Sequence, residues 1–205
     1  MLRHNHTYLS RLILGFFFIL YASSALTAEY SPINWPDRAS AAAWQTNKTM
    51  FLFKSSQHVG MNTYITASIR SDAENRSIRV DIPIDKFDSG DQERDQDVVS
   101  ILKGDVQKDL TFQSQNLNSK DWDQLLNGQK NTLDGKLTIG NIDYNVVFTV
   151  NVVDEDEDKL ITGQMTTKFS YFGLDAPSVA GGVVAKVSDE LLLHVKIYFK
   201  DLKTM

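Results

Sequence analysis

Side chains that perform acid–base or nucleophilic chemistry are scarce in this chain. It contains no cysteine and four histidines, of which only His58 and His194 lie beyond the N-terminal 28 residues. No Gly-x-Ser-x-Gly elbow and no His-Glu-x-x-His zinc pair occurs. His194 has the opposite parity to Leu193 and Val195 in an alternating apolar run, so it is predicted to point outward. We therefore expect no enzymatic activity, and a hydrolytic site around either histidine is the most distant alternative.

Two acidic runs could suggest a cation site. In DEDEDK, which begins at Asp154, the first, third and fifth residues have the spacing of calcium ligands. A calcium loop of the EF-hand type also needs glycine at its sixth position and glutamate at its twelfth, where this chain has Lys159 and Met165. We interpret this run as a solvated hairpin tip that discourages edge pairing, and we predict no metal ligands. The second run, Asp88–Asp97, is interpreted as charge that complements the N-terminus of a helix.

The remaining candidates are apolar and suit non-covalent binding. From Ile142 to Val152 every even position is apolar or aromatic and the odd positions are mostly polar, which predicts a long strand with one buried face. Such a face could fill a core or line a tunnel for a long apolar molecule, and composition alone favours the filled core. The candidate ligand-binding residues are Tyr64, Phe112, Leu137, Ile139, Tyr144, Val146, Phe148, Val150, Met165, Phe169, Leu193 and Val195.

The first 28 residues have the features of a secretory signal peptide. Arg3 and Arg11 precede the apolar run Leu12–Ala22, and small residues follow up to Ala28. The apolar run is too short to cross a bilayer, which takes about 20 residues. We expect cleavage after Ala28, with Ala25 as the alternative, and therefore an exported protein with no stable membrane insertion afterwards.

Composition restricts the partners of the exported chain. Its net charge of −5 becomes more negative when the two arginines of the signal peptide are removed, which argues against nucleic acid and anionic lipid surfaces as partners. Without cysteine it forms no disulfide and carries no lipid anchor at the cleavage site. A homodimer remains open.

The elements that position these side chains are predicted to be mainly strands. Residues 29–48 are interpreted as a leader, with a helical turn across Ala39–Trp44, and residues 49–205 as one all-β domain. An antiparallel barrel of eight strands with one or two short helices is expected, because closure removes exposed sheet edges and the apolar faces outnumber the helices that could cover them. The predicted strands are Thr49–Ser56, Asn62–Ile69, Arg76–Asp85, Asp109–Gln115, Leu137–Ile139, Ile142–Val152, Leu160–Leu174 and Asp189–Phe199, and the predicted helices are Arg94–Gly104 and Ser119–Gly128.

Three segments in succession resemble a known family. They are Ser89–Gln115, with Arg94-Asp95 and the strand Leu110–Ser114; LDGKLTIGNIDYNVVFTV; and Phe172–Ile197. Their order and spacing are similar to those of the YceI-like family, which consists of periplasmic, lipocalin-like β-barrels associated with polyisoprenoid lipids. The resemblance spans roughly Thr49 to Phe199. It implies a soluble carrier with no cofactor beyond a bound isoprenoid lipid or quinone, and it shifts the choice between core and tunnel towards the tunnel.

Two functions therefore stay open. The first is sequestration or transport of a long apolar lipid inside the barrel. The second is a ligand-free barrel that serves as a periplasmic interaction or stress-related module through exposed loops such as Asp88–Asp97 and Ala176–Lys186. A hollow interior favours the first function and a filled interior favours the second.

Overall fold

A computed structural model describes residues 30–50, 54–72, 74–179 and 185–205. The expected signal peptide at residues 1–28 lies outside these ranges. Two α-helices are present in the described chain, α1 (Gln92–Ile101) and α2 (Ser119–Leu126). The strands are β1 (Ala41–Met50), β2 (Lys54–Asn62), β3 (Thr66–Ser71), β4 (Asn75–Pro83), β5 (Asp109–Ser114), β6 (Leu117–Asn118), β7 (Thr132–Ile139), β8 (Ile142–Glu155), β9 (Asp158–Lys168), β10 (Ser178–Val179), β11 (Ala185–Tyr198) and β12 (Lys203–Thr204).

The strands form one strongly curled sheet. Its order is β12-β3-β4-β5-β7-β8-β9-β11-β1-β2, with β6 beside β4 and β10 beside β11. Every pairing is antiparallel except that of β12 with β3. The predicted mostly-β architecture with two short helices is therefore confirmed. The expected eight-stranded barrel is not confirmed, because the described strands form a half-barrel of ten strands in succession.

Contacts at the end of β2 draw the curled sheet together. The backbone N–H groups of Met61 and Asp88 each donate to the other residue's carbonyl oxygen, at 2.8 Å in both directions. The side-chain amide of Asn62 also donates to the carbonyl oxygen of Pro83, at 2.6 Å. These bonds join β2 to the last residue of β4 and to the chain that follows it, although β2 and β4 are far apart in the sheet order.

The predicted helical turn at Ala39–Trp44 is wrong, because β1 begins at Ala41. The second half of the expected leader thus belongs to the sheet, ahead of the boundary placed at residue 49. Alanines at 41, 42 and 43 favour a helix locally, but β1 pairs along its length with both β2 and β11. Backbone hydrogen bonds to two neighbours outweigh a weak local propensity.

The two-residue period of β8 is confirmed over its central part. Val146, Phe148 and Val150 are buried, whereas Val147 is exposed. A tight turn precedes β8, because Gly140 and Asn141, a pair that accepts positive φ, have φ of 56° and 65° in the hairpin that joins β7 to β8.

Helix α2 closes a well-filled part of the core. Asn118 caps it, and its side chain accepts a hydrogen bond from the backbone N–H of Asp121 at 2.9 Å. Trp122 and Leu125 are buried, and Leu125 is 0% exposed. Neither side chain belongs to the lining of the cavity described below, so this region supplies a reference for the stability of a filled core.

The chain before β1 covers the outer face of β1 and β11. The Lys196 ammonium donates to the carbonyl oxygen of Pro36 at 3.0 Å, and the Gln45 amide donates to that of Ser31 at 2.9 Å. The ring of Trp35 meets that of His194 edge to face, with 6.5 Å between centroids. His194 thus lies on the outer face, as its parity predicts, but it is half-buried under this covering segment.

We expect His194 to make folding stability pH-dependent. Burial lowers its pKa below the ordinary value, so the unfolded chain takes up this proton first as the pH falls. The free energy of unfolding should therefore decrease below about pH 6.5 and level off below the folded-state pKa. Urea denaturation of His194→Gln between pH 7.5 and 5 should show a shallower decrease than the parent protein. An unchanged slope would mean that His194 titrates alike in both states.

Candidate ligand-binding cavity

The concave face of the sheet surrounds a cavity of about 330 Å³. This volume lies at the lower end of the range of about 300–1,000 Å³ found for small-molecule sites. The walls come from β1, β2, β4, β5, β7, β8, β9, β11 and α1, and they are mostly apolar. Predicted site residues that line it are Phe112, Leu137, Ile139, Phe148, Val150, Phe169, Leu193 and Val195.

Strand register explains why these side chains converge. Phe112 pairs with Leu137, and its ring meets that of Phe148 edge to face with 5.4 Å between centroids. Gly163 lies between Val150 and Val195 in adjacent strands. A Cβ atom at Gly163 would stand 2.8 Å from Cγ1 of Val195, so glycine keeps this part of the wall open. The inward parity predicted from the sequence thus produces a shared apolar lining.

Four predicted residues are not part of the lining. Tyr64 is 67% exposed in the connection between β2 and β3, beyond the strand to which the sequence assigned it, so its expected inward position is wrong. Tyr144 is half-buried near one end of β8, where its hydroxyl donates to the carbonyl oxygen of Phe172 at 2.7 Å. Val146 is buried in the packed core, and Met165 packs against that core partly buried. The period of two identifies the inward face but not the positions that border the hollow.

Polar side chains gather at one end of the cavity. Thr46 and Lys48 of β1 and His58 of β2 lie on the cavity side, and Thr46 pairs with His58 in register. Opposite them is the first half of α1, whose contributions are Asp91, Glu93, Arg94 and Asp97. We call these seven residues the polar mouth. Val98 and Ile101 in the later part of α1, and Leu102 directly after it, belong to the apolar part of the lining.

Helix capping positions the charges of the polar mouth. Asp91 is the N-cap of α1, and its side chain accepts hydrogen bonds from the backbone N–H groups of Glu93 and Arg94 at 3.1 and 3.2 Å. The Arg94 guanidinium donates to the same carboxylate at 2.9 Å. These bonds lower the pKa of Asp91, so this carboxylate stays ionised across the neutral range.

His58 is the titratable group of the polar mouth nearest to neutrality. Burial lowers its pKa, and the positive charges of Arg94 and Lys48 lower it further, while Asp91 acts in the opposite direction. His58 is therefore mostly neutral at pH 7. Its Nε2 lies 3.1 Å from the hydroxyl of Ser56.

The polar mouth was not identified from the sequence. From the sequence, Asp88–Asp97 is explained by the helix dipole or by an exposed interaction loop, and Lys48 falls in the predicted leader. A recognisable signal existed, because Trp44, Thr46 and Lys48 share one parity once β1 is known to be a strand. That knowledge depends on long-range pairing with β11 and β2.

Other candidate sites carry less chemistry. The acidic run at 154–159 forms the predicted hairpin tip between β8 and β9, where Lys159 binds Asp154 at 2.7 Å and Arg38 binds Asp156 at 3.1 Å. In the ranges that the structure describes, no three His, Asp or Glu residues are grouped so that they could bind a metal ion. None of the described helices has the length and apolar character required to cross a bilayer.

Comparisons with known proteins point to one family. The YceI-like domain model matches residues 36–199. No curated protein is significantly similar. Among solved structures, Burkholderia cenocepacia BcnA is 18% identical with a TM-score of 0.56, over 77% of this chain and 95% of that one. A polyisoprenoid binding domain from Saccharophagus degradans, implicated in plant cell wall breakdown, is 12% identical with a TM-score of 0.56, over 78% and 96% of the two chains.

We predict that leucines at the cavity wall contribute less to stability than leucines in the filled core. Leu125→Ala should lower the free energy of unfolding by about 2–5 kcal/mol, since Leu125 is 0% exposed on the buried face of α2. Leu137→Ala, the same chemical change at the cavity wall, should cost about 1 kcal/mol less because this side chain has fewer contacts to lose. Urea denaturation of both variants measures the difference. Equal losses would indicate a filled interior.

Proposed function

Because this chain belongs to the YceI-like family, we propose that it binds a long apolar lipid, a polyisoprenoid or a similar molecule, in the cavity of its curled sheet. The observation that carries the proposal is the apolar cavity of about 330 Å³ with a polar mouth at one end. An amphipathic lipid has the same division into a long tail and a small polar head. The polyisoprenoid-binding description of the Saccharophagus degradans domain adds support through the shared fold.

Binding of this kind needs no covalent step. Transfer of a hydrocarbon tail from water into an apolar cavity is favourable by about 25 cal/mol per Å² of buried area, or about 0.8 kcal/mol per CH₂ group. The aromatic and branched side chains of the wall supply that environment. In this proposal the protein sequesters or carries the lipid and performs no catalysis.

We also propose that the sheet acts as a lipocalin-like barrel around the lipid. The paired hydrogen bonds between Met61 and Asp88 support this, because they join β2 to the chain that follows β4. Helix α1 would then border the entrance, with Val98 and Leu102 against the tail. An enclosed lipid is protected from water along its length, which favours retention during transport.

Export to the periplasm is the expected setting. The arginines, the apolar run and the small residues within positions 1–28 favour a cleaved signal peptide. The intact mass of protein recovered from the periplasm of its host should correspond to a chain that begins at Glu29. A mass that corresponds to the full-length chain, or recovery in the cytoplasm, would contradict the proposed export.

A matched pair of substitutions tests the location of the lipid. Val150→Phe places a larger ring in the cavity wall and should abolish or strongly reduce binding of a fluorescent prenyl probe. Val147→Phe makes the same change on the opposite face of β8, where Val147 is 51% exposed, and should leave binding unchanged. Circular dichroism and urea denaturation confirm that both variants fold. Equal binding by both variants would mean that the lipid is bound elsewhere.

The carrier function and the ligand-free interaction module differ in what the native protein should contain. If the protein is a carrier, native mass spectrometry of protein purified from its own host should show an added mass that organic extraction removes. If the purified protein carries no lipid and takes up no prenyl probe, the carrier function is refuted and the interaction module is favoured.

A further inference from the structure

The sheet splits between β8 and β9 beside the cavity. From their hairpin, the ladder that joins these strands ends at the pair of Thr149 with Gln164. Beyond it, residues 142–148 are paired with β7 and residues 165–168 with β11, and among the described residues no pairing joins the two stretches. An uninterrupted antiparallel pair would continue its hydrogen bonds here. The split therefore interrupts the cavity wall, because Phe148 at its edge lines the cavity.

Residues 169–174, which follow β9 directly, occupy the split, and we call them the lid segment. Phe169, Phe172 and Leu174 are buried and line the cavity, whereas Tyr171 is 50% exposed. The segment bonds to itself, since the backbone N–H groups of Phe172 and Leu174 both donate to the carbonyl oxygen of Phe169 at 3.0 Å. The cavity wall at the split is thus a compact loop instead of a strand.

On one side the lid segment is attached to β11. The backbone N–H of Phe169 donates to the carbonyl oxygen of Asp189 at 2.9 Å. The backbone N–H and the hydroxyl of Ser170 donate to the Asp189 carboxylate at 2.9 and 2.7 Å. All these bonds lie at the start of the segment, so they form an attachment about which the rest of it can turn.

On the other side the lid segment is held to β8 by tyrosine side chains. The hydroxyl of Tyr171 donates to the carbonyl oxygen of Asn145 at 2.5 Å, and that of Tyr144 donates to the carbonyl oxygen of Phe172 at 2.7 Å. Among the described residues no backbone–backbone hydrogen bond joins the segment to β8. The two hydroxyls thus form a latch that can open without breaking any strand pairing.

The polar mouth is a poor passage for a hydrocarbon tail. It carries five charged side chains, and the ion pair of Arg94 with Asp91 lies in it. A tail that passes between these groups would displace their water, which is costly. The split is bordered instead by Phe169, by Phe172 and by Met165, the first residue of β9 beyond the ladder. Methionine is unbranched and flexible, so its side chain adapts to a passing chain.

We propose that the split between β8 and β9 is the entrance for the lipid tail and that the lid segment is its gate. The gate turns on its bonds to β11 and opens when the hydroxyls of Tyr144 and Tyr171 exchange their acceptors for water. An incoming tail covers the rings of Phe169 and Phe172 that opening exposes. The inference rests on the proposed function and adds the route by which the ligand reaches its site.

Removal of the two hydroxyls should speed exchange of the ligand without changing its affinity. Tyr144→Phe combined with Tyr171→Phe keeps both rings and weakens the latch in the free and the loaded protein alike. Stopped-flow fluorescence with a fluorescent prenyl probe should show association and dissociation rate constants each raised about tenfold, with an unchanged Kd. Tyr198→Phe is the matched control, because the Tyr198 hydroxyl bonds to Glu155 at 3.3 Å, outside the split, and it should change neither rate constant.

A covalent tether should have the opposite effect on the two rate constants. The chain has no cysteine, so Asn145→Cys combined with Tyr171→Cys places a thiol on each side of the latch and nowhere else. When a short bismaleimide with a reducible disulfide joins them, both rate constants should fall at least about tenfold, and reduction should restore exchange. The control pair is Thr149→Cys with Gln164→Cys, exposed partners at the end of the ladder, where a tether should change neither rate constant.

The comparison before and after reduction uses one protein, so it does not depend on the stability of the substituted chain. The inference is overturned if the tethered protein exchanges the probe as fast as the reduced protein, since the tail then enters elsewhere. It is equally overturned if loss of the hydroxyls does not raise the association rate constant. In both cases binding of the probe still supports the proposed function. If the parent protein binds no prenyl probe, the proposed function is refuted and the inference with it.

Discussion

Backbone pairing of β1 with two neighbours is the constraint on which the described features depend. Because β1 lies between β2 and β11, its side chains must alternate between the cavity and the outer face. The inward set supplies the ring of Trp44 and then the polar side chains of Thr46 and Lys48. The outward set is covered by the chain that precedes β1, with Gln45 bonded to Ser31. One strand thus connects the hollow, its polar end and its external support.

The molecule divides into a filled part and a hollow part. Around α2 the core is packed solidly, with Leu125 and Trp122 almost completely buried. Around the cavity, glycine at 60 and at 163 removes side-chain volume where a larger residue would contact Trp44 or Val195. A hollow forfeits dispersion contacts, so the filled part must supply stability that the binding part lacks. This division is expected of a protein that accommodates a bulky apolar guest.

The first turn of α1 combines a structural role with an electrostatic one. The Asp91 carboxylate accepts hydrogen bonds from two backbone N–H groups and from Arg94. Its negative charge complements the positive end of the helix dipole. The same carboxylate belongs to the polar mouth, together with Glu93 and Asp97. Charge that stabilises the start of the helix is therefore also part of the cavity lining. The partly buried and mostly neutral His58 adds no opposing charge at pH 7.

Local pattern determined the inward faces of the long strands, the turn at Asn141 and the hairpin tip at the acidic run, because each depends on a few neighbouring residues. The succession of three motifs also identified the family. Long-range pairing decided what these patterns do not contain: the place of β1 in the sheet, the covering of His194, the exposure of Tyr64 and the approach of α1 to Lys48. A two-residue period predicts which side of a strand is apolar. Curvature and register decide what that side contacts: on the same face of β8, Phe148 borders the cavity and Val146 packs against other side chains.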